Sequence, residues 1–498
     1  MFNVNCYCKN IMKKFYITTS IAYTNAPPHI GFVLELLQAD ALARYHRILK
    51  DDVFFLTGTD EHGIKVARAA EKENKTPQEF VDTIAAKFKA LKNILNLSNN
   101  DFIRTSDKKR HFPVVKEIWL EFKNNGDLYK KKYKGLYCSG CEAFITKKDL
   151  IDGKCPIHQK PPEKIEEENY FFRLSKYSKQ IEKIIKEEEI KIIPRNRKKE
   201  MLNFIKNGLE DISFSRPKEK LKWGVPVPDD NTQTIYVWAD ALVNYISGLG
   251  YKDSPKFKKY WPPDVQCIGK DIQKFHAIIW PAMLLSLKLP LPKLILVHGF
   301  ITVDGQKMSK SLGNVIDPFY LVEKYSSLIS LPVTTDALRY FLLSQISPTE
   351  DGDFTYEKFE EKYNSDLAGG LGNLISRIIT MAVKSNYKYQ MPDFNQTQNS
   401  KVKIMINKIC KDYHKALGDF KFNEALFTIW KLISFCDKYI EKTRPWEKTK
   451  NQKQIINDLL ISIDQIAKLL QPFLPETSEK IKKQIKSKKS ELLFPRLR

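Results

Sequence analysis

The chain has 498 residues, 42% of them hydrophobic and 28% charged, with 82 Lys and Arg against 59 Asp and Glu. That balance excludes a disordered chain, no apolar run is long enough for a bilayer-spanning helix, and the length calls for about two to four domains. The net charge of +23 favours an anionic partner, nucleic acid above all, although the Lys, Ile and Asn usage of an AT-rich genome produces the same excess.

Residues 1–11 read as a disordered extension, with Met12 as an alternative start. Over 12–125, strand-like and helix-like stretches alternate. "FYITTSIAY" is a buried strand, "GFVLELLQADALARYHRILK" a helix with Val33, Leu34, Leu37, Ala41 and Leu42 on one face, "VFFLTG" a strand and "IKVARAAEKEN" a helix. Such alternation predicts an α/β unit with a parallel sheet. Residues 126–215 break the rhythm, first rich in Lys, Gly, Pro and Cys, then helical and charged. The α/β pattern returns over 216–325 with "TIYVWADALVNYISGL", "VQCIGKD" and "LPKLILVHGFITV", and from about residue 333 the chain reads as helical with no strand. An α/β domain split by an insertion and followed by an all-α domain is expected.

"TNAPPHIGFVLE", residues 24–35, joins the first strand to the first helix. There the helix aims its amides into the crevice at the strand ends, Gly31 allows close approach and His29 can donate to a phosphate. Taken alone, this is equally a turn with a satisfied surface histidine. No phosphate-binding loop of the G-x-x-x-x-G-K-[ST] kind is present. "DGQKMSKSLGN", residues 304–314, sets Lys307 and Lys310 between Gly305 and Gly313. Alone, a lysine pair is a solvated face. Together the two segments fit one triphosphate, with mobile cations closing over the charge that develops at the α-phosphate.

Of eight cysteines, Cys267, Cys410 and Cys436 read as small buried apolar residues. Cys138, Cys141, Cys155 and His158 form C-x2-C, thirteen residues, then C-x2-H, which suits tetrahedral structural Zn²⁺ in a reducing compartment.

"HIGF" at 29–32 and "KMSKS" at 307–311, with "TGTDEHG", "YVWADAL", "IGKDIQKFH" and "RPW" in order, resemble the class I aminoacyl-tRNA synthetases, and among them the methionyl-tRNA synthetase family, from about Phe15 to the C-terminus. The resemblance implies a Rossmann-like parallel-sheet catalytic domain (12–125 and 216–325) split by a zinc-containing insertion (126–215, knuckle 138–158). A stem-contact linker (326–370) and an all-α helical-bundle anticodon-binding domain (371–498) would follow. It implies His29, Lys307 and Lys310 as catalytic, and His29, Gly31, Gly269, Asp271, His298, Gly299 and Lys310 around ATP and its Mg²⁺. The methionine pocket would comprise Ile21, Tyr23, Trp238, Ala241, Leu242, Tyr245, Ile272, His276 and Trp280, with Asp60 on the ammonium. Trp238, Ala241, Leu242 and Tyr245 stand at i, i+3, i+4 and i+7, as do residues of any buried helical face. Asn373, Arg377 and Trp446 would meet the CAU anticodon; a capping Asn, a solvated Arg and a core Trp are the alternative. Substrates would be L-methionine, ATP and tRNA(Met), both initiator and elongator, in a cytoplasmic enzyme with no membrane partner. The lack of a further tRNA-binding domain after the helices favours a monomer. Phe32 departs from the family's second histidine, which leaves a non-catalytic tRNA-binding protein as an alternative. The short insertion argues against the editing ligases for isoleucine, valine and leucine. The cysteine-free "TTSIAYTN" argues against a cysteinyl enzyme.

Overall fold

The computed structural model describes residues 12–138, 143–145, 150–156, 159–308, 313–385, 394, 397, 399–447 and 451–497. Its first part runs β1 Lys14–Thr19, β2 Ala22–Tyr23, α1 Ile30–Ile48, β3 Asp52–Asp60, α2 Ile64–Lys72, α3 Pro77–Ile94, β4 Asp101–Arg104 and α4 His111–Asn124. Local chemistry sets the helix starts. Thr76 and Glu79 cap α3 reciprocally with Pro77 behind them, and His29 caps α1.

An antiparallel sheet follows, built on β5 Leu128–Cys138, β6 Ala143–Ile145 and β7 Glu163–Phe172. Lysines of β5 face glutamates of β7, as in the Lys134–Glu166 pair at 2.9 Å, so opposite charges set directly across the ladder support the register. Next come α5 Ser178–Lys186, β8 Lys191–Ile193, α6 Arg195–Lys206 and β9 Ile212–Ser213, the last pairing back onto β7. Although it falls within residues 126–215, β8 belongs to the parallel sheet, beside a later strand. A small sheet of β10 Ser215–Pro217, β11 Pro226–Val227 and β12 Asp230–Ile235 leads into α7 Val237–Ala241, α8 Asn244–Ser247 and α9 Pro255–Tyr260. Then come β13 Val265–Gly269, α10 Trp280–Ser286, β14 Leu294–His298, β15 Ile301–Val303 and β16 Gln306–Lys307.

The main sheet has the order β2-β3-β1-β13-β14-β8, with β4 also on β3, and every pairing is parallel. Its strands alternate between two cores. Phe15, Ile17, Val53, Phe55, Leu294 and Leu296 face one, while Tyr16, Phe54, Leu56, Ile295 and Val297 face the other. Burial on both faces is why these strands read as continuous apolar runs. Strand order reverses between β1 and β13, and α1 leaves β1 at that point, so the ligand crevice of such a sheet lies there.

The remainder is α11 Pro318–Ile329, α12 Leu331–Gln345, β17 Gly352–Phe354, α13 Tyr356–Lys362, α14 Asn373–Lys384, α15 Ser400–Gly418, α16 Phe422–Thr443, α17 Gln452–Leu470 and α18 Pro475–Ser487. The helical expectation holds apart from β17, which pairs in parallel with β15. The first core continues from the sheet through α1 and α12 into the C-terminal helices. Cys267, Cys410 and Cys436 are buried, as expected. Among the described residues no helix is long and apolar enough to cross a membrane.

Candidate active site

His29 stands exposed at the N-terminus of α1, where its Nδ1 accepts the Gly31 N–H at 3.1 Å. That bond fixes the neutral tautomer: Nε2 carries the proton and remains a donor towards the crevice. Desolvation lowers its pKa, opposed by the carboxylate of Asp271. A Cβ on Gly31 would meet the His29 ring at 2.9 Å and the Met308 methyl at 3.5 Å. Glycine is thus required for the ring to fold over the helix end, and the chain after β16 comes to that same spot.

The strand ends supply the rest of the rim. Gly269 ends β13 in register with His298 at the end of β14, and Asp271 lies exposed just beyond. His298 gives one ring nitrogen to Glu35 at 2.9 Å and the other to the Gly299 carbonyl at 2.7 Å. Burial opposes its charge, but Glu35 prevails and its pKa is raised. Glu35, buried on α1, also accepts from the Ser20 N–H and hydroxyl at 2.6 and 2.7 Å, so it ties β1 and β14 to α1 across the crevice. Sequence reading missed it because a glutamate inside a helix carries no signal of its own.

Lys307 sits on β16, in a hairpin turned by Asp304 and Gly305 at φ 53° and 72°. Two positive φ values in a two-residue turn are what an Asp-Gly hairpin provides. The expected hinged loop is therefore a β-hairpin up to Lys307; Lys310 lies outside the described residues. Asp353 of β17 accepts from Gly305 N–H and the Thr302 hydroxyl, both at 2.8 Å. The Lys307 and Lys270 ammonium groups lie over the Phe300 ring at 5.1 and 4.3 Å, and Lys270 is also paired with Asp351 at 2.6 Å.

On the sheet's other face, Ile21, Tyr23, Trp238, Leu242, Tyr245, Ile272 and Trp280 all join the second core. Ala241, Leu242, Tyr245, His276 and Trp280 are buried; Ile21, Tyr23, Trp238 and Ile272 are half-buried. Trp238 stacks on Phe275 at 3.6 Å. His276 lies in a π-helical turn, Phe275–Ile279, a distortion frequent at functional sites. Its Nδ1 donates to the Ile272 carbonyl at 3.0 Å and its Nε2 accepts from the Tyr245 hydroxyl at 2.7 Å. Burial lowers its pKa to about 4, so the ring is neutral. Asp60, buried at the end of β3, pairs with Tyr23, and its carbonyl accepts from Thr24 N–H at 2.9 Å.

The profile of the family "tRNA synthetases class I (M)" matches residues 15–160 and 138–379, and that of "Anticodon-binding domain of tRNA ligase" matches 403–496. Methionine–tRNA ligase of Thermotoga maritima is 44% identical over 94% of this chain and 74% of its own length; that of Bacillus subtilis is 42% identical over 95% and 73%. The structure of Mycobacterium tuberculosis methionyl-tRNA synthetase in complex with methionyl-adenylate superposes with a TM-score of 0.87 at 35% identity, covering 94% of this chain and 93% of that one. The chain belongs to the methionyl-tRNA synthetase family.

The other expected methionyl-tRNA synthetase sites are less fully described. Cys138 closes β5 and Cys155 follows a tight turn that bridges Ile151 to Lys154; both are buried. Cys141 and His158 lie outside the described residues, among which no group of three or more metal-binding side chains gathers. Asn373, exposed, begins α14, and Arg377 one turn on reaches Asp437 of α16 at 3.2 Å. Trp446 is 54% exposed, which removes the core-tryptophan alternative.

Proposed function

We propose that the crevice between β1 and β13 carries out both steps of methionine–tRNA ligation. The enzyme activates L-methionine with ATP to methionyl-adenylate and transfers methionine to the 3′-terminal adenosine of tRNA(Met), initiator and elongator alike. The observation that carries this reading is the meeting of the two signature segments, with Gly31 beside His29 lying against Met308.

A methionine carboxylate oxygen attacks the α-phosphorus and the bond to pyrophosphate breaks. His29 Nε2–H, Lys307 and Lys310 stabilise the charge that grows on the phosphate oxygens. Gly31, Gly269, Asp271, His298 and Gly299 line the nucleotide, whose phosphates carry Mg²⁺. Asp60 takes the substrate ammonium by a charge-assisted bond, and the wall of Tyr23, Trp238, Tyr245 and His276 takes the thioether. The terminal adenosine hydroxyl then attacks the activated carbonyl carbon and AMP leaves. Cys138, Cys141, Cys155 and His158 would hold a structural Zn²⁺; two buried cysteines at the end of a strand and after a tight turn suit that donor set. Asn373, Arg377 and Trp446 would read the anticodon, for which exposed aromatic and polar side chains are apt. A tRNA-charging enzyme works where translation does, so the reading puts it in the cytoplasm.

Amino-acid-dependent pyrophosphate exchange tests this. Methionine alone, from a panel of aliphatic amino acids, should support rapid exchange. Exchange with leucine or isoleucine instead, or with none, would refute the assignment.

A further inference from the structure

The two parts of the proposed methionine site sit on different elements. Asp60 ends β3, whereas Trp238 and Ala241 lie on α7 and Tyr245 on α8. Something must fix the distance between the ammonium holder and the thioether wall, and α7 and α8 are short helices with a break at Leu242–Val243.

A buried polar cluster spans that gap. Asp240 of α7 has both carboxylate oxygens engaged: His62 Nδ1 donates to Oδ2 at 2.6 Å and His111 Nε2 donates to Oδ1 at 2.8 Å. His111, on α4, uses its other nitrogen to bond the Ser247 hydroxyl of α8 at 2.7 Å. All four residues are at most 2% exposed. His62 lies two residues after Asp60. Between them, Glu61 is held by Arg104 at 2.7 and 2.9 Å, and its carbonyl accepts from Trp223 Nε1 at 2.5 Å. The chain from Asp60 to His62 is thus pinned on one side to β4 and on the other to α7.

We infer that Asp240 is a positioning residue for methionine recognition: through His62 and the His111–Ser247 pair it sets the spacing between Asp60 and the wall formed by Trp238 and Tyr245. The inference rests on the proposed methionine site. A buried carboxylate held between two imidazole donors is costly to disturb and admits few alternative geometries, which suits a spacer. It does not touch substrate, and its effect reaches methionine alone.

The test measures pyrophosphate exchange, varying methionine and ATP separately, with the active fraction taken from burst titration. Asp240→Asn should raise the KM for methionine about tenfold, with the KM for ATP within about twofold, and lower the preference for methionine over norleucine. Ser247→Ala, which removes one distant hydroxyl, should raise the methionine KM about threefold in fully folded protein, and it decides alone if Asp240→Asn does not fold. A lowered active fraction with an unchanged methionine KM would mean the cluster only stabilises the core, and would overturn the inference. Trp238→Ala separates the two layers. If it leaves the methionine KM unchanged, the wall itself is misplaced. If it raises the KM while Asp240→Asn and Ser247→Ala do not, only the spacer role fails.

Discussion

Because Nδ1 of His29 accepts from the Gly31 N–H, capping a helix and offering Nε2–H to a phosphate are a single geometric fact. The two contributions can be separated by substitution. His29→Ala removes both, so it should lose about 1 kcal/mol of stability and about 10²-fold in kcat for adenylation. His29→Asn keeps a cap acceptor; denaturation midpoints should recover while kcat does not. Phe32, the departure from the signature, packs edge-on against Phe88 of α3 at 5.5 Å. It belongs to the α3 packing, and Phe32→His should alter exchange only modestly. His29, Gly31 and Asp60 can be proposed from sequence because they stand in short motifs. Glu35, Asp240 and His111 cannot. Their roles depend on partners as far as 129 to 263 positions away, and no local pattern encodes that.

At the scale of elements, the hairpin of β15 and β16 shows what periodicity misses. The sequence suggests a loop hinged at Gly305 and Gly313; neither the Asp-Gly hairpin nor the strand that anchors it is legible there. β17 is three residues long, too short for any alternation to register, and only its parallel pairing with β15 makes it a strand. Asp353 on that strand holds the turn of the hairpin that carries Lys307. Asp353→Ala should therefore lower kcat for exchange about tenfold and leave the methionine KM unchanged, which steady-state assays with each substrate varied will check. α1 and β3, by contrast, were read correctly, because long apolar runs with clear end signals leave few alternatives. In the turn after α16 the exposure of Trp446 is compatible with the anticodon contact that the family resemblance implies. Trp446→Ala should raise the KM for tRNA about tenfold or more, by loss of base stacking, while methionyl-adenylate formation proceeds at the wild-type rate.

At the scale of the whole molecule, the first of the two cores runs from the sheet into the C-terminal helices, and a buried ion pair reinforces that junction. Arg339 of α12 meets Asp40 of α1 at 2.7 Å and donates to the carbonyls of Pro472, Phe473 and Leu95. It thereby joins the helix capped by His29 to the C-terminal bundle. Burial acts to raise the Asp40 pKa, yet Arg339 and Arg44 bring it down to about 2. Acid unfolding should reflect this together with His276. Both folded-state values are depressed, so both contribute stability at neutral pH that is lost as pH falls. His276 contributes about 3 kcal/mol, lost between about pH 6.5 and 4; Asp40 contributes about 2 kcal/mol more, lost between about pH 4 and 2. Asp336, buried and pushed up to about 6, acts in the opposite sense over the upper range, so the His276 contribution is read as a difference: between about pH 6.5 and 4 the denaturant midpoint of His276→Gln should fall less than that of the wild type. The claim on which the reaction depends is that residues nearly the length of the catalytic fold apart grip one triphosphate. A double-mutant cycle of His29→Ala and Lys310→Ala in methionine-dependent pyrophosphate exchange tests it most directly. Each single change should lower kcat about 10²-fold, and the double change should lose clearly less than the product of the two, because both groups act on the same phosphate. Losses that multiply without coupling, or a single variant with unaltered exchange, would contradict it.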